Sequence, residues 1–444
     1  MGYLDNILFA ILLVVGFGYF YSNAKKIVRN INLGTEINCK DNPKARWRNM
    51  AMIALGQSKM VKRPVAGVLH VIVYAGFIII NIELLEIIID GLFGTHRIFA
   101  FLGTFYNVLI ASFEILALLV LVAVIAFLAR RNIVRLKRFV HKDLSGFPKS
   151  DANYILYFEV VLMTLFLLMN ATDLHLQNIP GGYSHFTKAG SFPISQFIAP
   201  FFNGYSNELV MLLSEIFWWL HIVGILAFMN YLYFSKHLHI LLAFPNTYFA
   251  NLNPQGQFDN LESVTNEVKM MMDPNADPYA TPAPTENAVP AKFGASDIQD
   301  LNWVQLLNAY TCTECGRCTS SCPANITGKK LSPRKIMMDT RDRMEEVGRN
   351  IDANKGVFVP DNKSLLNDYI TPEELWACTS CNACVEECPV NISPLSIIMD
   401  MRRFLVMEES AAPTPINAMM ANIENNGAPW QYNQQDRLNW KNEN

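Results

Sequence analysis

The chain has 444 residues, of which 51% are hydrophobic and 17% are charged, and its net charge at pH 7 is −3. This composition is too apolar for an ordinary soluble domain, and a small negative charge without a basic arm excludes a nucleic-acid-binding role. The apolar residues crowd into the first part of the chain. We predict a membrane domain, a linker, a soluble domain and a C-terminal tail, over residues 1–245, 246–300, 301–410 and 411–444.

Five apolar stretches are long enough to cross a bilayer, which takes a helix of roughly 20 residues. The first lacks the basic start and the cleavage site of a signal peptide, so we interpret it as a retained span. Basic residues crowd the loops after the first and third spans, which predicts an outside N-terminus and a cytoplasmic C-terminal half at the inner membrane. The predicted spans are 6–23, 65–89, 105–129, 154–172 and 208–234.

Histidines at membrane depth are candidates for cofactor binding. His70 lies near the cytoplasmic end of the second span and His239 near that of the fifth. Two imidazoles from facing helices would bind a six-coordinate haem b. On a continuous fifth helix, His221 would lie on the same face about five turns from His239 and could serve a second, outer haem. Ile80 occupies the depth at which the second span would supply the partner of His221, so one haem is favoured over two.

Structural roles are the alternative for these residues. His70 could be an ordinary core histidine, and His237 and His239 could be interfacial residues, which is the favoured interpretation for His237. Carboxylates at membrane depth could carry protons or bind quinone head groups, or could be hydrated near helix ends. They are Glu83, Glu86, Glu114, Glu159 and Glu215.

Eight of the nine cysteines form two runs with the spacing C-x2-C-x2-C-x3-C-P. In bacterial ferredoxins with this spacing, the fourth cysteine of each run binds the cluster of the other run. A tetrahedral zinc site would use two pairs of ligands and would not need this spacing twice. We predict one [4Fe–4S] cluster on Cys312, Cys315, Cys318 and Cys388. We predict a second on Cys378, Cys381, Cys384 and Cys322.

The two runs are duplicates beyond their cysteines, because each is followed by Pro-x-Asn-Ile-Thr/Ser and then by Ile-x-Met-Asp-x-Arg. We expect each run to lead into a helix, the first over 332–347, and a further helix around Leu365, Leu366 and Ile370. Helical spacing also resumes over 297–310, after an extended and loosely packed linker. The predicted fold is all-α, with a five-helix transmembrane bundle and a cytoplasmic helical ferredoxin-type domain.

Two stretches resemble known families. The sequence from Trp303-Val-Gln-Leu-Leu to Cys312-Thr-Glu-Cys-Gly-Arg-Cys, with Trp376-Ala-Cys-Thr-Ser-Cys in the second half, is similar to heterodisulfide-reductase-like iron–sulfur proteins. The five spans with His221 and Phe234-Ser-Lys-His-Leu-His resemble the cytochrome b gamma subunit of respiratory nitrate reductase. The resemblance implies a quinone-reactive haem b domain that exchanges electrons with cytoplasmic clusters.

By the same resemblance, His70 and His239 would bind the haem nearer the cytoplasm and His221 the outer haem. Members of the first family often carry a catalytic domain with paired Cys-Cys-Gly motifs, and no cysteine follows Cys388 here. Substrate chemistry is therefore expected on a soluble cytoplasmic redox subunit, either cysteine-rich or flavin-containing.

The leading hypothesis is a membrane subunit of a quinone-linked oxidoreductase, with lipid, quinone and that soluble subunit as partners and no nucleic acid. Electrons would pass between haem b or quinone and the soluble partner through two [4Fe–4S] clusters, and the cofactors themselves would carry out the redox chemistry. The alternatives are an anchor and conduit without its own quinone site, or a membrane redox sensor without turnover.

Overall fold

A computed structural model describes residues 3–179, 188–274 and 292–442. These residues are largely helical and include no strand, only two isolated bridges. Five helices are long and apolar enough to cross a membrane, which confirms the predicted number of spans. They are α1 (Tyr3–Ile31), α3 (Pro64–Phe93), α4 (Thr104–Leu128), α5 (Phe147–Gln177) and α6 (Asn207–Tyr231).

The five long helices form a ring in which each packs against two neighbours. α3 packs on α4, α4 on α5 and α5 on α6, while α1 closes the ring between α3 and α6. Phe9, Ile110, Phe166 and Ile222 are fully buried in its core. Gly91 permits the close approach of α1, because a Cβ atom at this position would lie 2.5 Å from the Phe9 ring.

The fifth span is not the continuous helix through His239 that the sequence argument assumed. α6 ends at Tyr231, and two 3-10 turns follow, Leu232–Phe234 and Lys236–Leu238. Ser235 between them is extended, with φ −113° and ψ 146°. A new helix, α7 (His239–Tyr248), then begins. The prediction that His221 and His239 project from one face of one helix is therefore wrong.

Polar side chains account for this break. The hydroxyl of Ser235 accepts a hydrogen bond from the backbone N–H of His237 at 3.1 Å. The buried carboxylate of Asp151, on α5, accepts one from the backbone N–H of Lys236 at 3.1 Å and one from the Tyr231 hydroxyl at 2.7 Å. These bonds satisfy backbone donors that a continuing helix would have paired.

The soluble part contains two copies of one unit. Each cysteine run contains a short helix, and after each run comes a long helix whose first turn holds a proline behind a serine cap, Ser332 or Ser393. The two short helices pack together, as do the two long ones. The predicted duplication, with a helix after each run, is confirmed. The four helices are α10 (Arg317–Ser321), α12 (Pro333–Ala353), α15 (Ala383–Glu387) and α16 (Pro394–Met407).

Shorter helices complete the chain. They are α2 (Pro43–Met50), α8 (Glu262–Met272), α9 (Trp303–Thr311), α11 (Pro323–Ile326), α13 (Leu365–Asp368), α14 (Pro372–Trp376) and α17 (Thr414–Asn426). The helix predicted around Leu365 is wrong, because Leu366 (ψ 136°) and Asn367 (φ 76°) interrupt α13 and make it a turn. α14 leads into the second cysteine run instead.

The predicted linker is only partly extended. α7 and α8 occupy part of it, and residues 275–291 lie outside the described residues. Ala295, Ile298 and Leu301 are almost completely buried in the core of the soluble part, so the prediction of loose packing is wrong there. Before Trp303 the segment is not helical. An ion pair between Asp297 and the buried Arg343, at 2.7 Å, fixes its position.

The soluble part packs on the end of the bundle that carries the basic loops. α12 lies against α1, and Gly348 lets the helices approach so closely that a Cβ there would lie 2.6 Å from the amide of Asn30. Ion pairs join the two parts at several points: Arg29 with Asp352, Lys62 with Glu386 (2.5 Å), Arg63 with Glu387 (2.7 Å) and Lys236 with Glu314. The cysteine runs are thereby held against the bundle.

Candidate functional site

The structure brings together the four cysteines predicted to bind the first cluster. They line one cavity, although Cys388 is 66 residues further along the chain than Cys322, the last cysteine of the first run. Cys384 also reaches this cavity. Burial raises the pKa of the Cys312 thiol to about 12 and that of Cys388 to about 11, so their thiolates need a cation beside them.

The other four cysteines form a second set next to the first. The Cys384 thiol interacts electrostatically with Cys378, Cys322 and Cys381, as the crossed pattern requires. No three of the described His, Cys, Asp and Glu side chains converge closely enough for a single metal ion. A cubane cluster binds each thiolate through a different iron atom, and this wider arrangement fits it.

The backbones of the two cysteine loops repeat one another. The residue after the first Cys-Thr pair is left-handed in both, Glu314 at φ 52° and Ser380 at φ 51°. The residue after the second cysteine is also left-handed, Gly316 at φ 69° and Asn382 at φ 59°. Such turns direct successive N–H groups into one concavity, which suits an anionic cluster. Consistent with this, the N–H of Ser380 lies 3.4 Å from the sulfur of Cys378.

The first set faces the membrane domain. Arg317 and Arg334 line its cavity, and both are buried. Arg317 donates to the backbone carbonyls of Lys59 and Met60, just before α3, at 3.3 and 3.4 Å. Arg334 donates to the carbonyl of Arg138, beyond α4, at 2.8 Å. In the second set, Cys381 is exposed.

Glu314 connects the first loop with the bundle. Its side chain is 2% exposed and forms ion pairs with Lys236 and, at 2.7 Å, with Arg341. Burial would raise the pKa of the Glu314 carboxyl, but these two cations hold it below its usual value. The carboxylate therefore remains ionised between two cysteines and fixes the loop to the end of the fifth span.

Two of the three histidines predicted to bind haem, His70 and His239, also come together. His70 on α3 is close enough to both His239 and Arg317 to interact with them electrostatically, and Arg317 lines the first cysteine cavity. The Nδ1 atom of His239 lies 3.1 Å from the carbonyl of Lys236, which can only accept, so Nδ1 carries the proton. The Nε2 atom of His239 is then unprotonated and can accept a hydrogen bond or bind a metal. The Nδ1 atom of His70 is buried without a hydrogen-bond partner in the described residues.

Sequence reasoning undervalued His237. Its ring centroid lies 5.5 Å from that of His239, and His70 is close enough to interact with it electrostatically. Desolvation lowers the pKa of His237 to about 3 and also lowers that of His239, so both rings are neutral, as metal binding requires. The break in the helix before His239 produces this arrangement, and no periodicity in the sequence signals it.

His221 lies elsewhere, in a largely apolar cleft among α3, α4, α5 and α6. Ile80 lines the same cleft, as its depth in the sequence predicted, and it cannot bind iron. His175 is not part of the lining. The cleft offers one imidazole, whereas a six-coordinate haem needs two axial ligands. Two of the predicted carboxylates, Glu83 and Glu159, are its remaining ionisable groups.

A buried polar network adjoins this cleft at the end of the bundle opposite the cysteines. Arg97 is 7% exposed and lies 3.6 Å from the Glu83 carboxylate and 2.7 Å from that of Asp173. Glu86 accepts from the Tyr106 hydroxyl at 2.8 Å. Glu114 is buried nearby and accepts from two backbone N–H groups, whereas Glu215 is exposed on α6.

Comparison with known proteins identifies the cysteine-bearing part. Residues 311–392 match the family described as the 4Fe-4S dicluster domain. The chain thus contains a [4Fe–4S] ferredoxin domain that includes both cysteine runs, attached to five helices that can cross a membrane. No solved structure matches the chain.

Its relatives are iron–sulfur oxidoreductases. The chain is 30% identical to the "Probable iron-sulfur-binding oxidoreductase FadF" of Bacillus subtilis, over 99% of this chain and 61% of the relative. It is 25% identical to the "EtfAB:quinone oxidoreductase" of Syntrophomonas wolfei, over 98% of this chain and 59% of the relative. The chain spans about three-fifths of the length of these two proteins.

A shorter match supports the resemblance read from the cysteine runs. It is to one component of the ferredoxin/F(420)H(2)-dependent CoB-CoM heterodisulfide reductase of Methanosarcina acetivorans, 32% identical over 24% of this chain and 52% of the relative. The chain is therefore related to electron-transfer proteins that contain iron–sulfur clusters.

Proposed function

We propose that this chain is the membrane electron relay of a quinone-linked iron–sulfur oxidoreductase. Electrons pass between a membrane quinone and a soluble redox partner by way of one haem b and two [4Fe–4S] clusters. The observation that carries this proposal is the position of His70, which interacts electrostatically with His239 on one side and on the other with Arg317 at the first cysteine cavity. The proposed haem site would thus adjoin the first cluster site.

His70 and His239 would hold the haem, in a bundle of the kind found in nitrate-reductase gamma subunits. They come from different helices, α3 and α7, and the proton on Nδ1 of His239 leaves its Nε2 free to bind iron. A haem b carries one electron at a time, so it would connect quinone, which exchanges two electrons, with clusters that each exchange one. His237 lies beside both residues and is the alternative ligand to His239.

The two clusters would act in a fixed order. The set that includes Cys312 and Cys388 faces the membrane domain, while the other set has Cys381 at the surface. An electron entering from the membrane reaches the first cluster first and leaves through the second. The soluble partner, flavin-containing or cysteine-rich, would dock over Cys381. The printed name of the Syntrophomonas relative includes quinone, which supports the quinone at the other end.

We place the ferredoxin domain in the cytoplasm and the bundle in the inner membrane, with the N-terminus outside. The two loops that pack on this domain are the two basic loops, and the positive-inside rule assigns such loops to the cytoplasm. Reduced thiols are maintained in that compartment. The positively charged loops also lie where they stabilise anionic clusters.

A redox difference spectrum tests the proposal. We expect the purified full-length chain to show a b-type haem band after reduction, and added quinone to reoxidise it. Replacing His70 or His239 with leucine should remove the band, while His175→Gln, at the other end of the bundle, should retain it. His237→Leu distinguishes between the two candidate ligands in this region, His239 at the start of α7 and His237 in the turn before it.

Four results would contradict parts of this function. Absence of haem from the wild-type protein would contradict the relay. A band that persists in both the His70 and the His239 variants would contradict the ligand assignment. A haem that is present but unreactive toward quinone would leave an anchor and conduit, and a protein without any turnover would fit a redox sensor.

A further inference from the structure

The cleft that contains His221 is not accounted for by the proposed haem. It extends along α3 from Val73 to Ile87, which is about 21 Å at 1.5 Å per residue. Apart from Asn81, Glu83, Glu159 and His221, its lining is apolar. Phe77 lines it and is 45% exposed, so the cleft is open on that side to the surroundings of the bundle.

Two polar groups in this cleft are buried and have unpartnered atoms. His221 is 4% exposed, and its Nδ1 has no hydrogen-bond partner in the described residues. Glu83 is 3% exposed, and its Oε2 likewise lacks one in the part of the chain that the structure describes. Leaving a buried polar atom without a hydrogen-bond partner destabilises the folded protein. Two such atoms in one apolar cleft indicate a ligand that supplies the missing hydrogen bonds.

We propose that this cleft is the quinone site, with the quinone head group between His221 and Glu83 and its isoprenoid tail along the apolar lining. A quinone ring carries two oxygens on opposite sides, so it can hydrogen-bond to both residues. Its tail matches a narrow cleft open toward lipid. This inference rests on the proposed quinone-linked function and adds the place at which quinone binds.

The polar network behind Glu83 provides a proton route to the end of the bundle opposite the clusters. Arg97 contacts Glu83 at 3.6 Å and Asp173 at 2.7 Å, and Asp173 lies 3.0 Å from His96. The His96 side chain is 28% exposed. Arg97 stays protonated and fixes both carboxylates, while Glu83, Asp173 and His96 can each bind and release a proton.

The reaction balances with groups already named. Reduction of the quinone adds two electrons, delivered one at a time from the iron cofactors, and two protons. One ring oxygen takes its proton from the Glu83 carboxyl. The other takes its proton through the His221 imidazole, which gains a proton from the Glu159 carboxyl of the same cleft as it gives one up and so stays neutral. Oxidation of the quinol reverses both transfers. Because protons reach Glu83 from the end of the bundle opposite the clusters, electrons and protons meet the quinone from opposite directions.

Reoxidation of the reduced protein tests the site. The full-length chain is placed in lipid nanodiscs, reduced anaerobically, freed of reductant and mixed with decylubiquinone, while the iron absorbance is followed. We expect Glu83→Gln, which removes the proton carrier, and Ile80→Trp, which fills the cleft, to slow reoxidation at least about ten-fold without loss of haem or clusters. Two matched controls should stay within about two-fold of wild type: Leu85→Trp and Glu215→Gln, both at exposed positions outside the cleft.

A second measurement avoids variants that fail to fold. An azido-quinone bound to the wild-type protein and photoactivated should label the α3 and α6 peptides that contain Ile80 and His221. Labelling confined to the end of the bundle near His70 would overturn the proposed quinone site. Reoxidation at the wild-type rate in both cleft variants would also overturn it. Either result would leave a quinone-linked function intact. A wild-type protein that decylubiquinone does not reoxidise would overturn the proposed function and this inference with it.

Discussion

The carboxylate of Glu314 should set the reduction potential of the first cluster. It lies between Cys312 and Cys315 in sequence and is held by Lys236 and Arg341, with a 2% exposed side chain. Glu314→Gln keeps the shape of the side chain but removes a negative charge, which leaves the two cations uncompensated. Since reduction adds negative charge to a cluster, the loss of this carboxylate favours the reduced state and raises the potential.

The magnitude follows from Coulomb's law. Adjacent residues have Cα atoms about 3.8 Å apart, so the carboxylate lies within roughly 10 Å of a cluster held by the cysteines on either side. With an effective dielectric constant of about 20, one charge at that distance contributes about 1.7 kcal/mol. For a one-electron couple this corresponds to about 70 mV. The second cluster is further away, and its potential should shift less.

Redox titration followed by electron paramagnetic resonance measures both clusters in one sample. Glu424→Gln, which removes the same charge from the exposed face of α17, is the control and should leave both potentials unchanged. Iron content confirms that each variant holds its clusters. An unchanged first potential in Glu314→Gln, or an equal shift in Glu424→Gln, would refute the electrostatic argument.

Two further predictions concern stability and haem content. Arg343→Met removes a buried cation paired with Asp361 at 2.5 Å and should lower the free energy of unfolding by about 3–5 kcal/mol, measured with denaturant. The hydrogen bond from Arg343 holds the pKa of Asp361 below its usual value. The stabilisation from this pair should therefore be lost as pH falls below about 4 in the wild type, and Arg343→Met should show no such loss. Ile80→His supplies the imidazole missing opposite His221 and should raise the haem content from one to two per chain.

Each of these predictions can fail clearly. Equal unfolding free energies for wild type and Arg343→Met at pH 7 would show that the ion pairs contribute nothing to stability. A difference that persists undiminished at pH 3 would contradict the role of Asp361. A folded Ile80→His variant that still binds one haem would show that position 80 does not face His221 at the distance axial ligation needs.

The cysteine runs could be predicted from sequence because their rule is local. The spacing C-x2-C-x2-C-x3-C-P specifies which thiol crosses to the other cluster, and the structure brings Cys388 to the cavity of the first run as this rule requires. The repeated motifs after each run predicted α12 and α16 for the same reason. The number of candidate membrane spans could be predicted from the sequence just as directly, since it depends on hydropathy summed over about 20 residues.

The histidine arrangement could not be predicted in full, because it depends on tertiary contacts. The extended Ser235 ends the fifth span, and Asp151 from another helix stabilises the break by binding the N–H of Lys236. No regular period in the sequence signals that change of direction. His237 was consequently regarded as interfacial although it lies beside His239. The buried linker segment around Ile298 was missed because a few apolar residues within a polar stretch form no regular hydrophobic pattern.

The central claim is that electrons pass between quinone and the clusters through the centre held by His70 and His239. The most direct test starts from fully reduced protein, adds decylubiquinone under anaerobic conditions and follows the cluster signals by electron paramagnetic resonance after rapid freezing. We predict rapid reoxidation of both clusters in wild type and clusters that stay reduced in His70→Leu. Clusters that reoxidise at the wild-type rate in His70→Leu, with the haem lost, would contradict the account.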